Sequence, residues 1–296
     1  QDPTLFRHSP TGFSSCTMSW VPLPNAKQVW AHSCCSVAAL ETALKDDNIT
    51  AIEVDILMGS LKGSEGNELA IAAHPPVRTS DLSIEVLLQR CLQDRRRHIK
   101  LDFKELMALQ ACLPMVAKMK EALAATRQCI WVNADVLPGP GRRNKPVVMP
   151  GQDVLAAVKE FCPGINLSLG WTTQVASGEF YNQEDCRAMV DLCKQEELTT
   201  GGGVVFAVAA RATCKAEDEL ASLLKCVPGS QLLIWTGAGE PPIAKDMFYR
   251  LFGTFALLGV GDRIGFDCQT TESALRVFLG AIYLWFSWLL GLLRGS

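Results

Sequence analysis

Histidine is scarce in this chain, with only four among 296 residues, so each candidate for acid–base chemistry can be considered singly. None of the twelve cysteines falls in a CxxC pair, which excludes the usual zinc spacing. The glycine run at 201–203 is not followed by the Lys-Ser/Thr of a phosphate-binding loop, so we interpret it as a turn. The net charge of −3 argues against binding to duplex DNA.

The composition is that of an ordinary globular chain, with 48% hydrophobic and 20% charged residues. No repeat of fixed period and no low-complexity tract occurs, which excludes collagen, coiled coils and disordered chains. A chain of this length can form two medium domains or one large α/β barrel.

Short β-rich runs alternate with helical patterns eight times along the chain. The predicted strands are 29–32, 51–56, 98–104, 129–134, 165–171, 204–209, 232–236 and 263–267. The helices predicted to follow them are 37–44, 84–92, 106–125, 154–161, 186–192, 220–224, 247–258 and a last one from residue 273 onward.

Strict alternation of strands and helices predicts a parallel sheet covered by helices, and eight units predict an α/β fold of the (β/α)8 TIM-barrel type. A doubly wound open sheet is the alternative. Residues 1–27 contain four prolines and no apolar periodicity, so we expect an irregular arm before a single barrel domain at 28–276.

The second predicted strand carries two acidic residues on one face. Alternate residues of a barrel strand face the interior, and catalytic groups gather where the strands end. With Ile52, Val54 and Ile56 packed outward on helices, Glu53 and Asp55 point into the barrel. Two buried carboxylates need a cation or basic groups to compensate their charge.

The third predicted strand repeats this pattern, with Lys100, Asp102 and Lys104 facing inward. Five ionisable groups therefore converge on one side of the barrel. One interpretation is a catalytic site; the alternative is a buried ionic core in which Glu53 and Asp55 merely pair with the two lysines.

Two of the four histidines lie at the mouth of the predicted barrel. His32 ends the first strand, and His74 ends the apolar run 69–73 that follows the second. Carboxylates that hold Mg²⁺ or Ca²⁺, lysines that neutralise phosphate oxygens and histidines that exchange protons form a coherent set for phosphodiester cleavage.

Several segments resemble the menorin (FAM151) family, within the phospholipase-C-like phosphodiesterase superfamily that includes glycerophosphodiester phosphodiesterases and sphingomyelinase-D-like toxins. The matching segments are WAH at 30–32, AIEVD at 51–55, AHPP at 73–76, IKLDFK at 99–104, NADVLPGP at 133–140, SLGWTT at 168–173 and IWTG at 234–237. The resemblance covers about residues 29–270.

The resemblance implies a phosphodiesterase-type barrel with a divalent metal, Mg²⁺ or Ca²⁺. It implies metal-ligand places for Glu53, Asp55 and Asp102, acid–base places for His32 and His74, and a phosphate-facing place for Lys104.

The chain departs from the resembled pattern at three places. Asp102 stands where glycerophosphodiester enzymes usually have Glu, and Ser33-Cys34 replaces an Arg-Gly pair. Ala209 stands where menorin-like sequences tend to carry an Arg at the end of the sixth strand. Arg211 lies two residues later, on the same face if the strand continues.

The remaining candidates are pocket-lining residues: Lys100, Asn133, Asp135, Trp171, Arg211, Trp235 and Asp267. Asn133 and Asp135 face inward on the fourth strand, although their segment is equally typical of a structured strand exit. Trp171 and Trp235 are either aromatic pocket walls or ordinary packing at the barrel rim.

The twelve cysteines and the Asn48-Ile49-Thr50 sequon favour the secretory pathway, with an extracellular or membrane-associated, glycosylated protein. We expect at least one disulfide, with Cys186 or Cys193 and Cys214 or Cys226 as participants.

Residues 277–293 form a stretch without charge, bracketed by arginines. Its length is at the lower limit for a membrane span, and its central aromatic residues are more typical of a helix at the membrane interface. The alternative is the eighth barrel helix, extended to cover the barrel bottom. We favour membrane association.

Two functions are therefore open. The first is a metal-dependent phosphodiesterase that acts on a glycerophosphodiester, lysophospholipid or ribonucleotide ester. The second is an extracellular recognition module with cell-surface protein partners and a vestigial site. A set of acidic and basic residues held as a metal site favours the first.

Overall fold

The predicted alternation of strands and helices is present in the computed structural model, which describes residues 21, 24, 27–64, 66–196, 198, 203–237 and 240–271. Its strands are β1 (Trp30–Ala31), β2 (Ala51–Leu61), β3 (Leu69–Ala72), β4 (Thr79–Ser80), β5 (His98–Phe103), β6 (Ile130–Pro138), β7 (Asn166–Thr172), β8 (Val204–Ala209), β9 (Gln231–Trp235), β10 (Ile243–Ala244), β11 (Ile264–Asp267) and β12 (Thr270–Thr271).

The helices of the described residues lie between these strands. They are α1 (Val37–Lys45), α2 (Ile84–Asp94), α3 (Leu106–Lys118), α4 (Lys120–Thr126), α5 (Gly151–Phe161), α6 (Gln183–Gln195), α7 (Ala210–Thr213), α8 (Glu217–Cys226) and α9 (Lys245–Leu257). Several of these helices begin at a side-chain cap. The Ser36 side chain accepts a hydrogen bond from the Ala39 amide, and the Asn182 side chain accepts one from the Asp185 amide.

Parallel pairing orders eight strands as β1-β2-β5-β6-β7-β8-β9-β11, which is the strand order of a (β/α)8 barrel. The open-sheet alternative is therefore excluded. Between the first and last strands, the His32 ring donates a 2.7 Å hydrogen bond from Nδ1 to Asp267 at the end of β11. This bond joins the two edges of the barrel at its mouth.

The second strand is longer than the predicted 51–56, because β2 extends to Leu61 and projects above the barrel. The apolar run before His74 forms β3, which pairs antiparallel with the upper part of β2. Leu57, Ile71 and Ala73 form a small core within this hairpin. The third predicted helix is divided at Met119 into α3 and α4.

The barrel bottom is filled by aromatic and apolar side chains. Trp131 is fully buried among Cys129, Val205 and Leu233, and its ring meets that of Trp30 edge-on with the centroids 4.9 Å apart. Val21, from the predicted N-terminal arm, packs against the same cluster. This packing fixes the lower ends of the strands that carry the polar groups above.

The predicted disulfide is absent: all eleven described cysteines are free, including the four named participants. Cys186 and Cys193 are buried in α6, whereas Cys226 is exposed. Most of the others fill core positions as small apolar side chains, which accounts for their number without cross-links.

The C-terminal segment 277–293, the predicted eighth helix and most of the N-terminal arm lie outside the described residues. Within the part of the chain that the structure describes, no helix has the length and apolar character that crossing a membrane requires. Asn48 of the predicted sequon is exposed in the turn after α1.

Trp131 provides a test of the packed barrel bottom. Trp131→Ala should lower the free energy of unfolding by about 3–5 kcal/mol, because it opens a cavity among fully buried neighbours. Trp131→Phe, which keeps an aromatic ring, should cost less. Urea unfolding followed by circular dichroism measures both, and a loss below about 1 kcal/mol for the alanine variant would contradict this packing.

Candidate active site

Backbone alternation on β2 separates apolar from acidic side chains. Ile52, Val54 and Ile56 belong to the core that the barrel shares with its helices. Glu53 and Asp55 therefore face the interior, where they are 1% and 4% exposed. Such burial is costly for carboxylates without compensating charges, so their surroundings determine what they can do.

Asp102 of β5 completes an acidic triad with these two residues. The parallel register places Asp55 directly beside Asp102. One carboxylate oxygen from each of the three residues lies within 4.8 Å of the other two. Oxygens held 2.0–2.6 Å from one hard cation lie at most roughly 5 Å apart, so the triad fits Mg²⁺ or Ca²⁺.

Two lysines compensate the buried acidic charge. Lys104 Nζ lies 2.8 Å from Asp55 Oδ1 and 2.7 Å from Asp102 Oδ2. Lys100 is buried, with Nζ 3.9 Å from Asp267 and 5.1 Å from the Trp30 ring centroid. The ionic pairing considered from the sequence is therefore present for Asp55, but both lysines also line the pocket.

The pKa values of the two β2 carboxyl groups are shifted in opposite directions. Burial, only partly offset by Lys100, raises the pKa of Glu53 to about 7. Burial alone would also raise the pKa of Asp55, but the charge and hydrogen bond of Lys104 outweigh it and lower that pKa below its ordinary value. The pKa of Lys104 is raised well above its ordinary value, because burial is outweighed by Asp102 and Asp55.

His32 is oriented by Asp267. A carboxylate only accepts, so the 2.7 Å contact makes Nδ1 the donor and leaves Nε2 as the ring atom that can exchange a proton. Burial by itself lowers the pKa of His32, but the Asp267 hydrogen bond and the Glu53 charge raise it to about 9. His74 is exposed, bonds the Pro75 carbonyl through Nδ1 and also lines the pocket.

Ser33 is a site residue for which sequence reasoning assigned no role. Its backbone amide donates to Glu53 Oε2 at 2.6 Å, and its hydroxyl donates to Asp55 Oδ2 at 3.0 Å. Its φ of 54° lies in the left-handed region that few non-glycine residues adopt. The signal in the sequence was its place directly after His32.

The pocket at the barrel mouth has a volume of about 190 Å³. Its lining residues are His32, Asp55, His74, Lys100, Asp102, Lys104, Asn133, Asp135, Thr173, Ala207, Trp235 and Gly237. Thr173, Ala207 and Gly237 were not predicted. A larger cavity of about 630 Å³ lies between α6 and α8, on the outside of the barrel and away from these residues.

Three predicted pocket residues do not line the pocket. Asp267 lies behind His32, whose ring it bonds at 2.7 Å. Trp171 is 1% exposed, and its ring packs on Tyr181 in the core, so it forms no pocket wall. Arg211 was expected to continue the face of the sixth strand, but that strand ends at Ala209 and α7 begins. Its guanidinium instead pairs with Glu240 at 3.2 Å.

Comparison with known proteins gives one family. Residues 25–256 match the family model described as the Menorin N-terminal domain. The human protein FAM151B is 32% identical over 227 residues, which cover 76% of this chain and 78% of that protein.

Among solved structures, similar barrels include a glycerophosphodiester phosphodiesterase from Parabacteroides distasonis and an L-ribulose 3-epimerase. The first has a TM-score of 0.44 at 12% identity and covers 83% of this chain and 94% of its own. The second has a TM-score of 0.45 at 12% identity, with coverages of 84% and 82%. Likeness at this level does not bear on function.

Calorimetric titration tests whether the triad binds a metal ion. We expect one Mg²⁺ or Ca²⁺ per chain, and Asp55→Asn should weaken binding by about tenfold or more because it removes a ligand charge. Asp191→Asn, an exposed acidic residue on α6, is the matched control and should bind as the wild type does. Equal affinity in all three proteins would contradict the site.

Proposed function

This chain belongs to the menorin family, and we propose that its barrel is a metal-dependent phosphodiesterase. The substrates proposed are phosphodiesters such as glycerophosphodiesters, lysophospholipids or ribonucleotide esters. The observation that carries this proposal is that two carboxylates of the acidic triad, two lysines and two histidines line one pocket at the carboxyl ends of the strands, with Glu53 buried beside them.

Each group has a task that its position supports. Glu53, Asp55 and Asp102 would hold the metal ion, which when bound supplies positive charge to the non-bridging phosphate oxygens. Lys104 lies between two of these carboxylates and also lines the pocket, so its ammonium can neutralise phosphate oxygens there.

His32 and His74 reach the pocket from different segments, one after β1 and the other after the β2–β3 hairpin. This placement lets one ring take a proton from the attacking oxygen while the other gives a proton to the leaving oxygen. His32 exchanges its proton through Nε2, because Nδ1 is occupied by Asp267.

A hydroxyl next to the phosphodiester is the nearest nucleophile, held at high effective concentration. Its oxygen forms the new P–O bond while one histidine takes its proton. The P–O bond to the leaving alcohol breaks, and the other histidine protonates that oxygen. The products are a cyclic phosphate and a free alcohol.

The assay is turnover of glycerophosphodiesters, lysophospholipids and short oligoribonucleotides, followed by ³¹P NMR with Mg²⁺, Ca²⁺ or a chelator. At least one substrate should react only with metal and should give a cyclic phosphate signal before any monoester. If no substrate responds to metal, a recognition module with a vestigial site becomes the better account.

Histidine variants test the acid–base roles. His32→Ala and His74→Ala should each lower turnover about 10²–10⁴-fold with folding intact, because neither side chain is part of the core. His98→Gln is the matched control: His98 begins β5 at the opposite end of the barrel, and glutamine can keep the acceptor for the Cys129 amide. Activity that survives loss of both His32 and His74 would refute the mechanism.

A further inference from the structure

Asn133 and Asp135 line the pocket without serving as ligands in the acidic triad. We propose that these two residues form a subsite that accepts hydrogen bonds from hydroxyl groups of the esterified alcohol. The substrate is then a phosphodiester of a small polyol or sugar. This inference rests on the proposed function and specifies its substrate class.

The amide of Asn133 has a fixed orientation. Its Nδ2 donates to Asp102 Oδ1 at 2.7 Å, and because a carboxylate only accepts, the amide cannot be turned around. Its Oδ1 is buried and has no hydrogen-bond partner among the described residues. Since buried polar atoms are almost always paired, this oxygen is suited to a donor that the pocket receives.

Ser168, on the neighbouring strand β7, also has a buried polar atom, its hydroxyl oxygen, without a hydrogen-bond partner among the described residues. It pairs with Asn133 in the parallel register of β6 and β7. The barrel interior beside the pocket therefore holds two adjacent residues with unused hydrogen-bonding capacity.

Asp135 lies two residues after Asn133 on β6, so it faces the same side. No hydrogen bond or ion pair involves its carboxyl in the described part of the chain. Its register partner is Gly170, where a Cβ would lie 2.4 Å from Asp135 Oδ1. The glycine thus provides the space in which this carboxyl lies.

Electrostatics favour a neutral donor at Asp135. Burial first, and then the charge of Asp102, raise the pKa of its carboxyl to about 7. Lys100 and Lys104 line the same pocket as Asp55 and Asp102, and Lys104 pairs with both carboxylates, so the cationic and anionic side chains there already offset one another. A quaternary ammonium group has no hydrogen to donate, and an acyl chain would leave the acceptors unpaired. Hydroxyl groups satisfy them without adding charge.

The dimensions of the pocket agree with a small ligand. Its volume of about 190 Å³ is below the roughly 300–1,000 Å³ of pockets that take drug-sized ligands. Trp235 adds an aromatic face beside the polar groups. An apolar face with a few fixed acceptors is a suitable environment for the C–H and O–H groups of a polyol or sugar.

Calorimetry with four phosphate monoesters tests the subsite in the presence of Mg²⁺. Glycerol 1-phosphate and n-propyl phosphate share a carbon chain and differ by two hydroxyls. Ribose 5-phosphate represents a sugar ester, and phosphoethanolamine represents a cationic one. We expect the tighter of the two hydroxylated probes to bind at least about tenfold more tightly than n-propyl phosphate, which corresponds to about 1.4 kcal/mol.

Asp135→Ala should reduce the preference for the hydroxylated probe over n-propyl phosphate to about threefold or less, because the variant lacks the carboxylate that accepts the hydrogen bond. Asp135→Leu, which keeps a branched side chain but also removes the acceptor, serves if the alanine variant does not fold and should reduce the preference in the same way. Asp191→Ala on α6 is the matched control and should retain the wild-type preference. Whichever hydroxylated probe binds more tightly identifies the glycerol or the sugar source.

Equal affinity for glycerol 1-phosphate, ribose 5-phosphate and n-propyl phosphate would overturn the subsite. Tighter binding of phosphoethanolamine than of both hydroxylated probes would overturn it in favour of a cationic group. If the protein turns over phosphodiesters but does not prefer hydroxylated probes to n-propyl phosphate, the subsite is refuted and the proposed function is retained. A preference that depends on Asp135, in a protein without turnover, supports the subsite and refutes the proposed function.

Discussion

Lys104 places its ammonium within 2.8 Å of both Asp55 and Asp102, and the other features of the site depend on this buried charge pairing. Without a cation between them, carboxylates at paired positions of adjacent strands would repel one another in a medium of low dielectric. The same arrangement provides oxygens for a metal ion and an ammonium for phosphate. The buried charges of Asp55, Asp102 and Lys104, which the fold has to balance, are thus the same charges that the proposed phosphodiester chemistry uses.

The two ends of the barrel have different roles: the bottom contributes to stability, and the mouth carries the candidate site. At the bottom, aromatic packing around Trp131 holds the strands together. At the mouth, the His32–Asp267 bond joins the first and last strands, and Ser33 bonds two of the triad carboxylates through a left-handed backbone conformation. Such strain is typical of functional sites, where the surrounding structure maintains it.

Much of this architecture is predictable from the sequence, because strand alternation is a local property. Eight βα units predicted the barrel, and the period of two placed Glu53, Asp55 and Asp102 on the inward face. Features that depend on tertiary packing, or on where a strand stops, were not predictable. Trp171 lies in the core, and Arg211 is turned away because the sixth strand ends two residues before it. Composition also cannot separate core cysteines from cross-linked ones, and the eleven cysteines in the described part of the chain are free.

Anomalous diffraction from crystals soaked in Mn²⁺ tests the central claim most directly, because Mn²⁺ takes the oxygen ligands that Mg²⁺ takes and scatters anomalously. The account predicts one strong peak at the barrel mouth, about 2.0–2.6 Å from an oxygen of each of Glu53, Asp55 and Asp102. Lys104 should then have moved from between Asp55 and Asp102. A map in which the three carboxylates and Lys104 keep their ionic contacts, with no peak among them, would contradict it.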